Sequence, residues 1–309
     1  MLNFAIMLAM MVVLHVVCLL MGVDPNQLFS SKGGIDLGGL AVFSLVWGMA
    51  GGFISLLLSK TMAKMSVGAK TIDGTEGAAE RWLVETVREL AERANLKMPE
   101  VAVYHGEANA FATGAFRNSA LVAVSDSIIR QMTKDELRAV LGHEMSHVAN
   151  GDMVTMTLLQ GVLNACVIFL SRVVAMLAAG ALNRDGERRR GGSSGLYHLV
   201  YFVMQFALGI GASIVAMWYS RHREYAADAG SAELLGSPGA MIAALRRLGN
   251  LQPGVLPDSI KAFGISGGMS SLFATHPALE DRIAALERLQ RGDQFIKEYG
   301  PEGSSRFNS

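Results

Sequence analysis

His143, Glu144 and His147 stand in the run His-Glu-Met-Ser-His. On an α-helix that spacing sets two imidazoles one turn apart on one face, with a carboxylate beside the first. Two neutral imidazoles suit a zinc ion and the carboxylate suits a general base, so the chemistry implied is metal-assisted hydrolysis of a peptide bond. A catalytic zinc ion takes a third protein ligand and keeps one position open. That ligand has to come from another helix, and Glu224 is the best placed residue. Asp228 lies at i+4 from it, on the same face, where it can hydrogen-bond a ligating imidazole. The competing readings are a surface salt bridge for Glu224 and two surface histidines on an amphipathic helix for His143 and His147. Beside an H-E-x-x-H helix and between apolar segments, the metal reading of Glu224 is favoured. Glu144 would then take a proton from the attacking water.

The elements that must carry these residues are marked in the chain. Thr133 and Glu136 form a capping box, and Gly151 supplies a C-cap, so the motif lies on a helix with both ends signalled. Leu137, Val140 and Leu141 turn toward a core. Upstream, Arg81 to Leu96 reads as an amphipathic helix with Leu83, Val87, Leu90 and Ala94 on one side. Val101 to Tyr104 and Ala120 to Ser125 read as strands of a small sheet. Downstream, Arg221 to Leu235 is helical by pattern and bears Glu224 and Asp228. Ser237-Pro238 starts a helix through Leu248, and Asn250 to Ser271 is a Gly-, Pro- and Ser-rich loop over the site. A last amphipathic helix buries Leu279, Ile283, Leu286 and Leu289, and the tail from Tyr299 is polar.

The 309-residue chain is 51% hydrophobic and only 17% charged, against about a quarter charged in soluble proteins. The deficit is local. Apolar runs at Asn3 to Val23, Leu37 to Leu58, Met153 to Leu182 and Leu196 to Tyr219 are candidate membrane spans. Lys60, Lys64 and Lys70 follow the second run and place the chain beyond it in the cytoplasm. The loop Asn183 to Gly192 carries four arginines. If both later runs cross, that loop lies outside against the positive-inside rule; the other possibility is a hairpin dipping partly into lipid. Gly48 and Gly52 would allow close helix packing. A formal net charge of zero gives no electrostatic case for a nucleic-acid partner. Cys18 and Cys166, both in apolar runs, leave no disulfide framework or cysteine zinc site, which fits a reducing compartment.

The sequence resembles the M48 family of membrane-bound zinc metallopeptidases. The resemblance rests on Asn-Ala-Phe-Ala-Thr-Gly at Asn109 to Gly114, on His143 to His147, and on Arg-Glu-Tyr-Ala-Ala-Asp at Arg223 to Asp228. Thr-His-Pro at Thr275 to Pro277 and the order of apolar segments extend it over nearly the whole chain. It implies one zinc ion per chain held by His143, His147 and Glu224, with Glu144 as base and Asp228 behind a ligand. It further implies that Asn109, Ala110 and Phe111 form the edge strand that pairs with substrate backbone, and that His276 stabilises the oxyanion; the alternative for His276 is a helix cap beside Pro277.

The expected fold is α+β and mainly helical: an integral membrane protein with a zincin-like catalytic domain and up to four transmembrane helices. Its expected parts are two N-terminal spans (1–70), the first catalytic part (71–152), an apolar hairpin (153–219), the second catalytic part (220–292) and a polar tail (293–309). The expected setting is the bacterial cytoplasmic membrane, with the site facing the cytoplasm, membrane lipid around it and misfolded proteins as substrates under stress. The rival classes are a catalytically silent scaffold or chaperone with a zinc-stabilised domain, and a four-helix transporter. Intact Glu144 speaks against the first, and spans whose ionisable residues are His15 and Arg172 speak against the second.

Overall fold

The structure is a computed structural model that describes residues 37–183, 192–250 and 277–291, together with Val12 and Val16. By backbone proximity the chain divides into two compact units, 1–55 with 156–216, and 56–155 with 217–309.

The first unit is built on three long apolar helices: α1 (Leu37–Val67), α5 (Asp152–Asn183) and α6 (Gly192–Leu235). All three are long and apolar enough to cross a membrane. The first apolar run, Asn3 to Val23, lies outside the described residues except at Val12 and Val16, which are helical and exposed. The arginine-rich loop also lies outside them. Helices α1 and α5 pack through small residues. A Cβ added at Gly48 would come within 2.5 Å of the Ala165 backbone nitrogen, and one at Gly52 within 3.1 Å of Thr157. This Gly-xxx-Gly pair therefore serves a real close approach. Arg172 lies over the ring of Phe43 at 4.3 Å and that of Tyr201 at 5.9 Å, a cation–π arrangement that compensates a charge within an apolar helix.

The second unit carries a four-stranded sheet of β1 (Lys70–Ile72), β2 (Glu100–Tyr104), β3 (Ala110–Thr113) and β4 (Leu121–Ser125) in the order β1-β2-β4-β3. β2 and β4 are parallel; the outer pairs are antiparallel. The period-2 rule sorts the two faces. Val101, Ala112, Val122 and Val124 join the main core. Ala102, Tyr104, Leu121 and Ala123 face the other side with Phe111, Val67 and Ala69. β1 is too short for any alternation to show in the sequence.

Helix α2 (Ala78–Arg93) covers the main-core face with Leu83, Val87 and Leu90 buried. After the short α3 (Asp126–Gln131), helix α4 (Lys134–Asn150) runs through the core with residues buried on nearly every side. Both halves of its capping box form: Glu136 donates its backbone N–H to Thr133 Oγ1 at 3.3 Å, and Thr133 donates its own to Glu136 Oε2 at 2.8 Å. Gly151 ends the helix in the left-handed conformation, φ 70°, which glycine adopts without steric cost. Helices α7 (Gly239–Asn250) and α8 (Leu279–Gln290) complete the unit.

The apolar run Leu196 to Tyr219 and the helical stretch Arg221 to Leu235 both lie on α6, a single helix of 44 residues. The change from apolar to charged side chains at Arg221 alters the surroundings of the helix. No proline or turn residue interrupts its backbone there, so it continues.

Candidate metal centre

The two catalytic-type helices meet because small residues let them. A Cβ at Gly142 on α4 would stand 2.9 Å from Ser231 Oγ, and one at Gly230 on α6 would stand 2.6 Å from Ser146 Oγ. Ser231 donates its hydroxyl to the Ala139 carbonyl at 2.8 Å, and Ser146 donates to the Gly142 carbonyl at 2.8 Å. Their hydroxyls are thus satisfied inside the contact, as burial requires. This seam lies beside His143 and His147 on one helix and just beyond Glu224 and Asp228 on the other.

The result is a triangle of donors. His143 Nε2 lies 3.2 Å from His147 Nε2, and the two nitrogens lie 3.6 Å and 3.4 Å from the oxygens of Glu224. Four-coordinate zinc with bonds of about 2.0–2.1 Å separates its donors by roughly 3.3 Å. The two imidazole nitrogens are spaced to that size, and each has one oxygen of the Glu224 carboxylate at a similar distance, Oε2 for His143 and Oε1 for His147. Among the described residues, His143, His147 and Glu224 form a group able to hold a metal ion.

The other nitrogen of each ring is held by a carboxylate. His143 Nδ1 lies 2.9 Å from Asp228 Oδ1, and His147 Nδ1 lies 2.7 Å from Asp152 Oδ2. A proton on each Nδ1 leaves both Nε2 lone pairs directed at one point. Each of these carboxylates has its own arginine. Arg223 pairs with Asp152; Arg282, on α8, holds both oxygens of Asp228 at 2.6 and 2.8 Å and stands 3.3 Å from Glu224.

Charge bookkeeping supports a divalent ion. Glu144, Asp152, Glu224 and Asp228 bring four negative charges, and Arg223 and Arg282 bring two positive ones. The remainder matches one divalent cation. With no ion, the imidazoles take up that role as bases. Burial opposes a charge on His143, yet hydrogen bonds to Asp228 and Glu224 raise its pKa. Burial opposes it likewise on His147, but Asp152 and Glu224 push that pKa up to about 10.

Glu144 points elsewhere. Its Oε2 accepts the backbone N–H of Ala112 on β3 at 2.8 Å. β3 is the outer strand of the sheet. Asn109, just before it, donates its backbone N–H to Ser125 Oγ and accepts from the Ser125 backbone. Antiparallel alternation then turns the backbone groups of Ala110 and Ala112 to the open side, and those of Asn109 and Phe111 toward β4. The three residues expected at an edge strand are therefore at that edge, but Ala110 is the one of them whose backbone faces outward. His276 and most of the Asn250 to Ser271 stretch lie outside the described residues.

Asp152, Arg223 and Arg282 went unassigned in the sequence reading. Arg282 had a signal: it falls at i+3 from Leu279 and i−4 from Leu286, on the buried face of an amphipathic helix. Asp152 and Arg223 offered only their closeness to Gly151 and Glu224.

The family model described as Peptidase family M48 matches residues 78–290. A "Protease HtpX homolog" of Janthinobacterium sp. (strain Marseille) is 54% identical over 285 residues, 92% of this chain and 96% of that one. A protein of the same name from Bordetella pertussis is 53% identical over 289 residues, covering 92% and 96%. Among solved structures, that of S. mikatae Ste24p aligns with a TM-score of 0.59 at 20% identity, covering 84% of this chain. The chain spans 61% of that protein's length, and the likeness is one of fold.

Proposed function

The chain belongs to peptidase family M48, and from that premise we propose a zinc endopeptidase in which His143, His147 and Glu224 hold the ion and Glu144 is the base. The chain is a membrane-bound metalloprotease with protein or peptide substrates. The observation that carries this reading is that the Nε2 atoms of His143 and His147, 3.2 Å apart, each lie within 3.6 Å of a carboxylate oxygen of Glu224.

An ion held by His143, His147 and Glu224 would supply Lewis acidity toward the scissile carbonyl and the attacking water. The residues do the rest. Glu144 follows His143 directly, and its Oε2 is fixed by the Ala112 N–H. It receives the proton of the attacking water and returns it to the leaving amine, the usual exchange of base and acid roles. Asp228 and Asp152 keep both imidazoles in the tautomer that presents Nε2. The outward groups of Ala110 offer a substrate strand its backbone partners, with Asn109 and Phe111 flanking them. His276 is retained as an oxyanion donor.

For the setting, we propose the bacterial cytoplasmic membrane with the site on the cytoplasmic side; the bacterial relatives and the three apolar helices support a bacterial membrane, and Lys60, Lys64 and Lys70 support the side. We propose turnover of misfolded membrane proteins under stress as the role, and the five-part division at 70, 152, 219 and 292 as the domain plan. Zinc content, casein cleavage and self-cleavage of purified wild type and Glu144→Gln test the reading. Loss of proteolysis with metal retained is expected. Equal proteolysis by both would sink the mechanism, and bound zinc with no proteolysis by either would favour a silent scaffold.

A further inference from the structure

Helix α8 reaches the metal centre through Arg282. Arg282 is 7% exposed, and burying a guanidinium is costly unless its donors are satisfied. Its Nη2 and Nε bind the two oxygens of Asp228 at 2.6 and 2.8 Å; its Nη1 stands 3.3 Å from Glu224 Oε2, and its Nη2 3.4 Å from His143 Nδ1. Burial works against its charge, but Asp228 more than offsets this and raises its pKa. One cation thus touches a candidate ligand, the carboxylate behind a second ligand, and the ring of that second ligand.

We propose that Arg282 is a positioning residue of the metal centre: its two-point grip on Asp228 and its contact with Glu224 orient two of the three ligands, so that metal capture depends on this side chain and not merely on the packing of α8. The inference rests on the assignment of His143, His147 and Glu224 as ligands. The fork geometry is what matters. A bidentate guanidinium–carboxylate pair fixes the plane of Asp228, and the plane of Asp228 fixes the rotation of the His143 ring through Nδ1. A lysine at this position would bring the same charge without the fork.

Electrostatics alone predicts the opposite sign, which makes the proposal decidable. A positive charge beside Glu224 repels a cation, so simple removal of that charge would tighten metal binding. Positioning predicts that removal weakens it.

The test uses the full-length protein in detergent, with zinc affinity read by competition against a chromogenic chelator and zinc loss followed in excess chelator. Arg282→Met is expected to weaken affinity ~10- to 100-fold and to speed zinc release. Arg282→Lys, which keeps the charge and guards against loss of folding in the first variant, is expected to fall between it and wild type. Asp228→Asn combined with Arg282→Met is expected to cost little more than either change alone, because both cut one relay. Arg246→Met removes the exposed Arg246–Glu287 pair that joins α7 to α8 without touching the relay, and should bind zinc as wild type does. Unchanged or tighter binding by Arg282→Met, or wild-type affinity in Arg282→Lys, overturns the proposal. So does an equal loss in Arg246→Met, which would make the effect one of helix docking alone. Wild type that binds no divalent ion would sink the metallopeptidase reading together with it.

Discussion

At the scale of single residues, the centre is a competition between protons and a cation for the same lone pairs. His147 has a pKa of about 10 in the metal-free protein, well above its ordinary 6.5. The sign follows from linkage. A raised folded-state pKa contributes stability that is fully present below about 6.5 and is lost as pH rises toward 10. The metal-free protein is therefore expected to lose thermal stability between pH 6.5 and 10, while the zinc-loaded protein loses less over the same range. Zinc affinity should rise with pH in that window, because each step up removes protons that the ion must otherwise displace. Unfolding scans of both forms at several pH values, with chelator titrations alongside, measure this. A metal-free form that is most stable at pH 10 would contradict it. The candidate ligands and the candidate base were legible in the sequence because helical spacing alone puts His143, Glu144 and His147 together, and Glu224 with Asp228. Asp152 and Arg282 were not: local spacing says nothing of which carboxylate an imidazole will find, and Arg282 arrives from a helix that only the tertiary fold brings in.

At the scale of elements, α4 depends on its cap and on its seam with α6. Thr133→Ala removes the side-chain half of the capping box and should cost about 1 kcal/mol, seen as a lower thermal midpoint with zinc stoichiometry unchanged. Gly230→Ala is more severe, since the new Cβ would lie 2.6 Å from Ser146 Oγ and 2.9 Å from its Cβ. A loss of ~1–3 kcal/mol is expected from such overpacking, together with weaker zinc binding as the helices are pushed apart. Adding Ser146→Gly should recover part of both; a double variant no better than the single would mean that the seam does not set the spacing. The capped helix, α2, β2 and β4 could be read from pattern and turn chemistry. β1 could not, because three residues carry no period, and β3 was legible by resemblance alone. The continuity of α6 through Tyr219 was not legible for a different reason. Hydropathy reports what surrounds a helix, whereas its continuity is decided by the backbone.

At the scale of the whole molecule, the orientation in the membrane is the open physical question that the charges pose. Lys60, Lys64 and Lys70 favour the cytoplasm for the catalytic unit, and the four arginines between Asn183 and Gly192 then sit outside, against the usual bias. A single cysteine decides it. With Cys18 and Cys166 replaced by alanine, Ser194→Cys should react with a membrane-impermeant maleimide added to intact spheroplasts. Labelling confined to inverted vesicles would reverse the proposed orientation.

The unbroken α6 has one more consequence. The helix that carries Glu224 and Asp228 is continuous with a stretch apolar enough to cross a membrane, unburied among the described residues. A hydrophobic rod answers a mismatch in bilayer thickness by tilting, and this one has no proline hinge at which to absorb the tilt. If the helix tilts as one piece, acyl-chain length acts mechanically on the proposed coordination site. Zinc release measured in nanodiscs of graded thickness should change from one lipid to the next, and a flat response would show that the rod and the site are mechanically uncoupled.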